Sequence, residues 1–415
     1  MAAQQRPARG TDRGDTDARV GTLLGLGVFG LLLLAGRAQD LLPSPQRMVL
    51  VLLWPVLALG ALRLGPRVAA GLTAGYLVGG GLLLRLADFR GGGRASDVLL
   101  VTDEAIGLLL RGQSPYGHEY ASSRPPGAPM PYPPVQLLVH LPGRLMAGFD
   151  GVGFTEIVAA GVIMGLFALL AARLSWRAGL PALATYAALP NLGILTLDGS
   201  NDTSTGAVAL LAVLATAWAG RNGWAARPLT VAGLAGAAAL GMKQSTLFIV
   251  LTLAAHVWHA AGWRALRGYV LAAASLLLAL SLPFLAIDPV AYVTGLAAFA
   301  GFHSDVYGWN VWVLARGLGW PLPELARMTL VNVAATLAAL LLVTARPLTS
   351  VAQAALAGLI VTLVLLLTAY WTSYAYFALV APIALVLPLL ATWPPAVPSS
   401  PPPAAADQRP GDPDR

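Results

Sequence analysis

Acidic residues spaced along one predicted helix are the groups in this chain best suited to chemistry. Asp97, Asp103 and Glu104 lie between Ser96 and Gly112, in a stretch that is otherwise mostly aliphatic. A serine followed by an acid reads as a helix start, and Gly112 after Arg111 reads as its stop. At about 100° per residue, Asp97 and Glu104 share a face, and Asp103 lies about 100° around from Glu104. A helix N-terminus favours the anionic form of Asp97. An ionised carboxylate held there can accept the proton of a hydroxyl, which is a general-base step. The same acids also suit a solvated loop with no chemistry.

The other candidates are few. Lys243, followed by Gln244, is the sole charged residue between Pro228 and Trp263. A lysine at membrane depth costs roughly 2.5–3.5 kcal/mol on insertion scales, so its retention points to a use. A lipid phosphate is its natural partner; the plain alternative is a snorkelling lysine at a helix end. The turn Asp198-Gly199-Ser200-Asn201-Asp202 suits sugar hydroxyls, or equally the capping of a helix that begins near Thr203. Tyr116 and Tyr132 sit beside prolines, where they can stack on a sugar ring or serve as interfacial aromatics. His303, Asp305, Tyr307, Trp309 and Asn310 form a polar and aromatic patch suited to a sugar acceptor. The five histidines (His118, His140, His256, His259 and His303) show no ligand spacing with carboxylates, and the chain has no cysteine. No metal or cofactor is therefore expected, and disulfide and thiolate chemistry is excluded.

The elements that position these groups must be membrane helices. Of 415 residues, 57% are hydrophobic and 11% charged, which is the composition of a polytopic membrane protein. The apolar runs are continuous rather than alternating, so the expected fold is an all-α transmembrane helical bundle and not a β-barrel. About 20 apolar residues span a bilayer. On that measure about twelve spans are expected, near 20–36, 48–64, 68–86, 154–172, 180–197, 203–219, 229–242, 245–259, 269–286, 325–343, 352–369 and 375–391. Residues 135–147 are apolar but short, and read as a re-entrant or interfacial helix. The segment 1–19 reads as a cytoplasmic N-terminus, 20–393 as the membrane domain, and the proline-rich 394–415 as a disordered cytoplasmic tail.

Arginines beside the spans set an orientation. Arg6, Arg9, Arg13 and Arg19 place the N-terminus in the cytoplasm, and Arg63, Arg67, Arg173, Arg177, Arg221, Arg227, Arg264, Arg267 and Arg346 then also fall inside. The long loop 88–134 faces outward. It carries Asp88, Asp97, Asp103, Glu104 and Glu119 together with Arg90, Arg94, Arg111 and Arg124, a charge density that suggests a working loop. Its aliphatic residues are expected to float a juxtamembrane helix on the outer membrane surface. The net charge of +7 is explained by these flanking arginines and needs no nucleic-acid partner.

In order, the landmarks are an acidic outer loop after an early span, Gly112-Gln113-Ser114-Pro115-Tyr116, Tyr132-Pro133-Pro134, Gly199-Ser200-Asn201-Asp202, Met242-Lys243-Gln244, Leu282-Pro283-Phe284 and Asp288-Pro289. This order, over roughly residues 68–390, resembles the GT-C superfamily of polyprenyl-phosphate-sugar-dependent membrane glycosyltransferases, especially the actinobacterial family 87-like mannosyltransferases. The resemblance implies a multi-pass cell-membrane enzyme with an outward active site. Its donor would be a polyprenyl-phosphate sugar, mannose by that likeness, and its acceptor a glycan or glycolipid. It implies Asp97 as the base, with Asp103 as the rival, and Lys243 facing the carrier phosphate. Glu104, Arg111, Tyr116, Tyr132, Asn201, Asp202, Gln244, His303 and Asp305 are the accompanying candidates for substrate contacts. Two extra spans before the loop and the lack of a tyrosine after the loop acid depart from the pattern. A transporter or flippase of a lipid-linked or small polar substrate is the reading from another class, since transporters also carry charges among their helices.

Overall fold

The computed structural model describes residues 9–38, 45–89, 96–298 and 305–393. His303, Arg90, Arg94 and the tail 394–415 lie outside the described residues. The described residues are almost entirely α-helical. The first seven helices are α1 Arg9–Ala38, α2 Pro45–Arg63, α3 Pro66–Phe89, α4 Val98–Leu110, α5 Pro134–Arg173, α6 Trp176–Ala188 and α7 Pro190–Leu197. They are followed by α8 Asp202–Arg221, α9 Ala226–Met242, α10 Leu247–Ile287, α11 Pro289–Ala298, α12 Val311–Gly317, α13 Leu325–Thr344, α14 Val351–Thr368 and α15 Tyr376–Ala391. The only strands among the described residues are the two-residue β1 Tyr307–Gly308 and β2 Trp371–Thr372. Helices dominate because a chain this apolar must satisfy its backbone hydrogen bonds internally.

Seven of the helices are long and apolar enough to cross a membrane, or eight if the bent pair α6 and α7 makes one span. Shorter apolar runs, Met48–Ala61 and Tyr376–Ala391, lie in α2 and α15. The chain is thus a helical membrane protein.

Two of the longest helices are broken. In α5, Ala147 and Gly148 leave helical geometry, with φ of −145° and 59°. A continuous helix would hold His140 and Glu156 about 24 Å apart. Instead His140 Nε2 lies 2.9 Å from Glu156 Oε1, so the first half of α5 doubles back on the second. That first half is the short apolar segment expected at 135–147. The hairpin needs glycine where the halves cross: a Cβ at Gly143 would run into the Gly151 carbonyl, and one at Gly151 into the Gly143 carbonyl. Both obstacles are backbone and cannot swing aside. Gly143→Ala is expected to destabilise the fold by about 1–3 kcal/mol through overpacking. The check is a lower thermal midpoint of the purified protein in detergent; an unchanged midpoint would mean that the halves do not cross there.

The second break is Gly262 in α10, with φ 76°. A straight helix would separate Val250 from Tyr269 by about 28 Å, yet both meet Gly236 of α9. The two halves therefore lie side by side against α9, matching the separate stretches 245–259 and 269–286. Small residues on α9, among them Ala232, Gly233, Gly236 and Ala239, are buried, and small side chains let helix backbones approach closely. The largest apolar core runs through α1, α3, α5, α6, α8, α9, α10, α14 and α15. Helix α13 packs mainly along α14, with only Met328 and Thr336 buried, and Asn332 Nδ2 donates to Leu365 O and Thr368 Oγ1.

The 96–134 loop is built differently from the sequence expectation. Helix α4 does not float on its apolar side. Leu99, Val101, Ala105, Ile106 and Leu108 are buried, and Val101, Ala105, Ile106 and Leu108 join a second core with Tyr116, Tyr120, Met130 and Leu137. Apolar residues surround this helix on nearly every side, so protein contact and lipid contact were both open to it; the doubled-back half of α5 supplies the protein surface. The N-cap is Asp97, without a side-chain capping bond. Ser96 instead accepts from the Val98 amide through Oγ at 3.3 Å. The stop is as expected: Gly112 has φ 71° and donates its amide to Leu109 O.

Candidate functional site

Six segments meet around a cavity of about 470 Å³. They are the start of α4, the loop residues 123–132, the 198–202 turn, the end of α9 at Lys243, residues 305–307 and residues 371–376. The α4 start is stitched to the turn by main chain. Ser96 N donates to Asp198 O at 2.7 Å, and Leu99 N donates to Gly199 O at 2.9 Å. Gly199 has φ 89°, a left-handed conformation that a side chain would strain. The docking puts the Asp97 carboxylate on the cavity wall, where Oδ2 accepts the Arg124 amide.

Lys243 is the central cation. It ends α9 in an extended conformation and is 4% exposed. Its Nζ donates to Asp202 Oδ1 at 2.7 Å and to Asn201 Oδ1 at 3.2 Å. The faces of Tyr376 and Tyr132 lie 4.1 and 5.5 Å away, which stabilises a desolvated ammonium. Two of the three ammonium protons thus go to oxygen acceptors, and the remaining surface of the ammonium faces the aromatic rings and the cavity.

Asp198 is a further carboxyl on the same wall. Burial pushes it up to about 7, against the Ser200 amide, which donates to Oδ1 at 2.8 Å and lowers it. Burial therefore makes this carboxyl easier to protonate than an ordinary aspartate.

A second cavity of about 370 Å³ lies between α11, α13 and α14, with apolar walls that include Leu296, Ala297, Leu365 and Leu366. The two cavities share Pro131, Tyr132, Lys243, Trp371 and Tyr376. Lys243 thus borders both cavities; the first, which carries the carboxyls Asp97, Asp198, Asp202 and Asp305, is the polar cavity, and the second is the more apolar.

Set against protein-family models, curated proteins and solved structures, the chain matches none.

The structure sorts the residues singled out from sequence. Asp97, Tyr132, Asp202, Lys243 and Asp305 line the polar cavity. Asn201 is fully buried beside Lys243, and the pairing of Asp202 with Lys243 shows why this turn is more than a cap for α8. Gln244 borders the apolar cavity and straps the loop down, Nε2 donating to Pro131 O at 2.6 Å. Asp103 is not on either wall. It pairs with Arg144 and so ties α4 to the first half of α5; burial raises its pKa, opposed by Arg144. Glu104 holds the loop itself, bonded to His118 at 3.2 Å and Ser122 at 3.1 Å. Arg111 is exposed and donates to Gln113. Tyr116 is a core residue: its hydroxyl donates to Tyr132 O at 2.9 Å, and its ring packs on Phe284 and Tyr292. Trp309 packs on Phe377, and Asn310 caps α12.

Several buried polar groups escaped sequence reasoning. Glu156 bonds His140 through Oε1 and accepts the Ser204 amide at the start of α8 through Oε2 at 2.9 Å. Gln136, one turn before His140, donates to Thr102 of α4 at 2.6 Å. Arg85 of α3, 1% exposed, donates to Tyr186 O, Ala187 O and Thr196 Oγ1 at 3.0–3.2 Å, and so seals the break between α6 and α7. The signal was present, since Arg85 and Glu156 are charged residues inside apolar spans and such residues are functional by default.

Proposed function

We propose that this chain is a membrane glycosyltransferase. It moves a sugar, mannose by the resemblance, from a polyprenyl-phosphate carrier to a glycan or glycolipid acceptor. The observation that carries the reading is the pair of cavities meeting at Lys243. An apolar chamber beside a helix as open as α13 suits a prenyl chain, the ammonium of Lys243 suits its phosphate, and the polar chamber suits sugars.

The chemistry balances with the groups at hand. The acceptor hydroxyl oxygen attacks the anomeric carbon from the face opposite the phosphate. The bond from that carbon to the phosphate oxygen breaks, and its electron pair leaves with the polyprenyl phosphate. The hydroxyl proton passes to Asp97, and the anomeric centre inverts. A phosphate is a good leaving group, so positioning and charge stabilisation by Lys243 supply most of what is needed. The reading carries with it about twelve crossings, cytoplasmic termini and an outward-facing cavity. The break at Gly262 favours a higher crossing number, because it turns one long apolar helix into two segments; the break at Gly148 leaves 135–147 as the short re-entrant segment.

A second reading, a transporter or flippase, draws support from the buried ionisable groups Arg85, His140, Glu156, Asp202 and Lys243, since transporters keep such groups among their helices. One experiment separates the two. Purified chain in proteoliposomes is given polyprenyl-phosphate mannose, labelled in the sugar, and a methyl mannoside acceptor. A new labelled glycoside is the expected result. Movement of the label across the bilayer with no covalent product would overturn the transferase in favour of the transporter.

A further inference from the structure

We propose that residues 305–307 and 371–373 form a saccharide platform that holds the acceptor sugar in the polar cavity. The word acceptor rests on the transferase reading; saccharide binding at this wall does not.

The two segments are 64 positions apart and belong to no larger sheet, yet they pair in parallel, Tyr307 with Trp371 and Gly308 with Thr372. The pairing is heavily braced. Tyr307 N donates to Tyr370 O at 3.0 Å, and Asn310 Nδ2 reaches both Tyr307 O and Tyr370 O. Trp312 Nε1 donates to Thr368 O at 2.7 Å. A Cβ at Gly308 would collide with Thr372 O, so the close approach requires this glycine.

Extended chain alternates its side chains between two faces. Asp305 and Tyr307 therefore share one face, and Trp371 and Ser373 share one face of the partner segment. All four line the polar cavity. The intervening Val306 and Thr372 are 8% and 0% exposed. The bridge thus turns two aromatic rings, a carboxylate and a hydroxyl inward together.

Tyr307 and Trp371 lie 5.9 Å apart at 31°, and Tyr307 keeps 45% of its surface open. A pyranose has an apolar face of C–H groups and a rim of hydroxyls. The ring pair can cover the former, and Asp305 can accept from the latter. Asp305, Tyr307 and Ser373 do not border the apolar cavity, whereas Trp371 borders both, so the platform adjoins the place proposed for the lipid carrier and Tyr307 probes its saccharide side alone.

The test uses the full chain in detergent and a panel of methyl glycosides (mannoside, glucoside, galactoside, arabinoside). Saturation-transfer NMR reads binding, and the transfer assay reads KM for each substrate. At least one glycoside is expected to bind the parent protein, with affinity about tenfold weaker in Tyr307→Ala and retained in Tyr307→Phe. Asp305→Asn weakens it as well. In the transfer assay Tyr307→Ala raises the acceptor KM and leaves the donor KM unchanged. No binding to the parent, or equal binding by Tyr307→Ala, overturns the platform even where transfer is intact. Binding that depends on Tyr307, in a protein that transfers no sugar, upholds the platform and sinks the transferase.

Discussion

Asp97→Asn lowers kcat for sugar transfer by about 10²–10⁴-fold, the range for removal of a general base, while the protein still binds polyprenyl phosphate. Asparagine keeps the shape and can still accept the Arg124 amide through its carbonyl oxygen, so the loop stays docked; what is lost is the ability to take a proton. Asp103→Asn provides the contrast. Asp103 faces Arg144 and borders neither cavity. Its side chain is 23% exposed and that of Arg144 33%, and a partly exposed pair is worth about 1 kcal/mol or less. That variant should transfer at close to the parent rate. Rates are measured with labelled polyprenyl-phosphate mannose under saturating donor. Full activity in both variants would sink the assignment of the base to this loop. Loss in Asp198→Asn alone would move the role to the other carboxyl on the same wall.

The second large effect concerns Lys243. Lys243→Met should be strongly destabilised, because Asp202 would be left as an unpaired buried carboxylate. Removing one partner of such a pair costs about 3–5 kcal/mol. The double variant Lys243→Met with Asp202→Asn removes both charges and should regain most of that stability, which thermal unfolding in detergent reads as a coupling between the sites. Binding of polyprenyl phosphate should not return. A charge-assisted hydrogen bond contributes about 1.5–3 kcal/mol, so both variants should bind the carrier roughly 10- to 100-fold more weakly. If the double variant binds as tightly as the parent, Lys243 is a structural cation only and the carrier phosphate lies elsewhere.

These two residues were legible for different reasons. Lys243 announces itself by isolation: one charge in an otherwise apolar stretch of α9 and α10. Asp97 stands out because it opens a helix after a polar run. Asp103 stands as its rival and Glu104 as a candidate contact, and no periodicity shows that both turn away from the cavity. Helix α4 is apolar on nearly all sides, so its sequence does not say which face meets protein. Tyr116 was misjudged for a related reason. An aromatic beside proline suits a binding rim or a core equally, and Phe284 and Tyr292, which decide the matter, lie about 170 positions further on.

By itself the sequence determined what local chemistry and length can determine. Long apolar runs demand helices, because a bilayer leaves the backbone no other partner. Arginines, glycines and prolines mark where those runs stop or turn, as at Gly112; the turns at Gly148 and Gly262 came from the structure. Only the tertiary structure decided which polar groups meet. His140 finds Glu156 because α5 doubles back. Asp97 reaches the cavity because the 198–202 turn binds the start of α4. Tyr307 stands beside Trp371 through a two-residue bridge across 64 positions of chain. Each of these contacts depends on a backbone break or a main-chain hydrogen bond between distant segments, and such pairings are fixed by the packing of the whole bundle rather than by any neighbour in sequence.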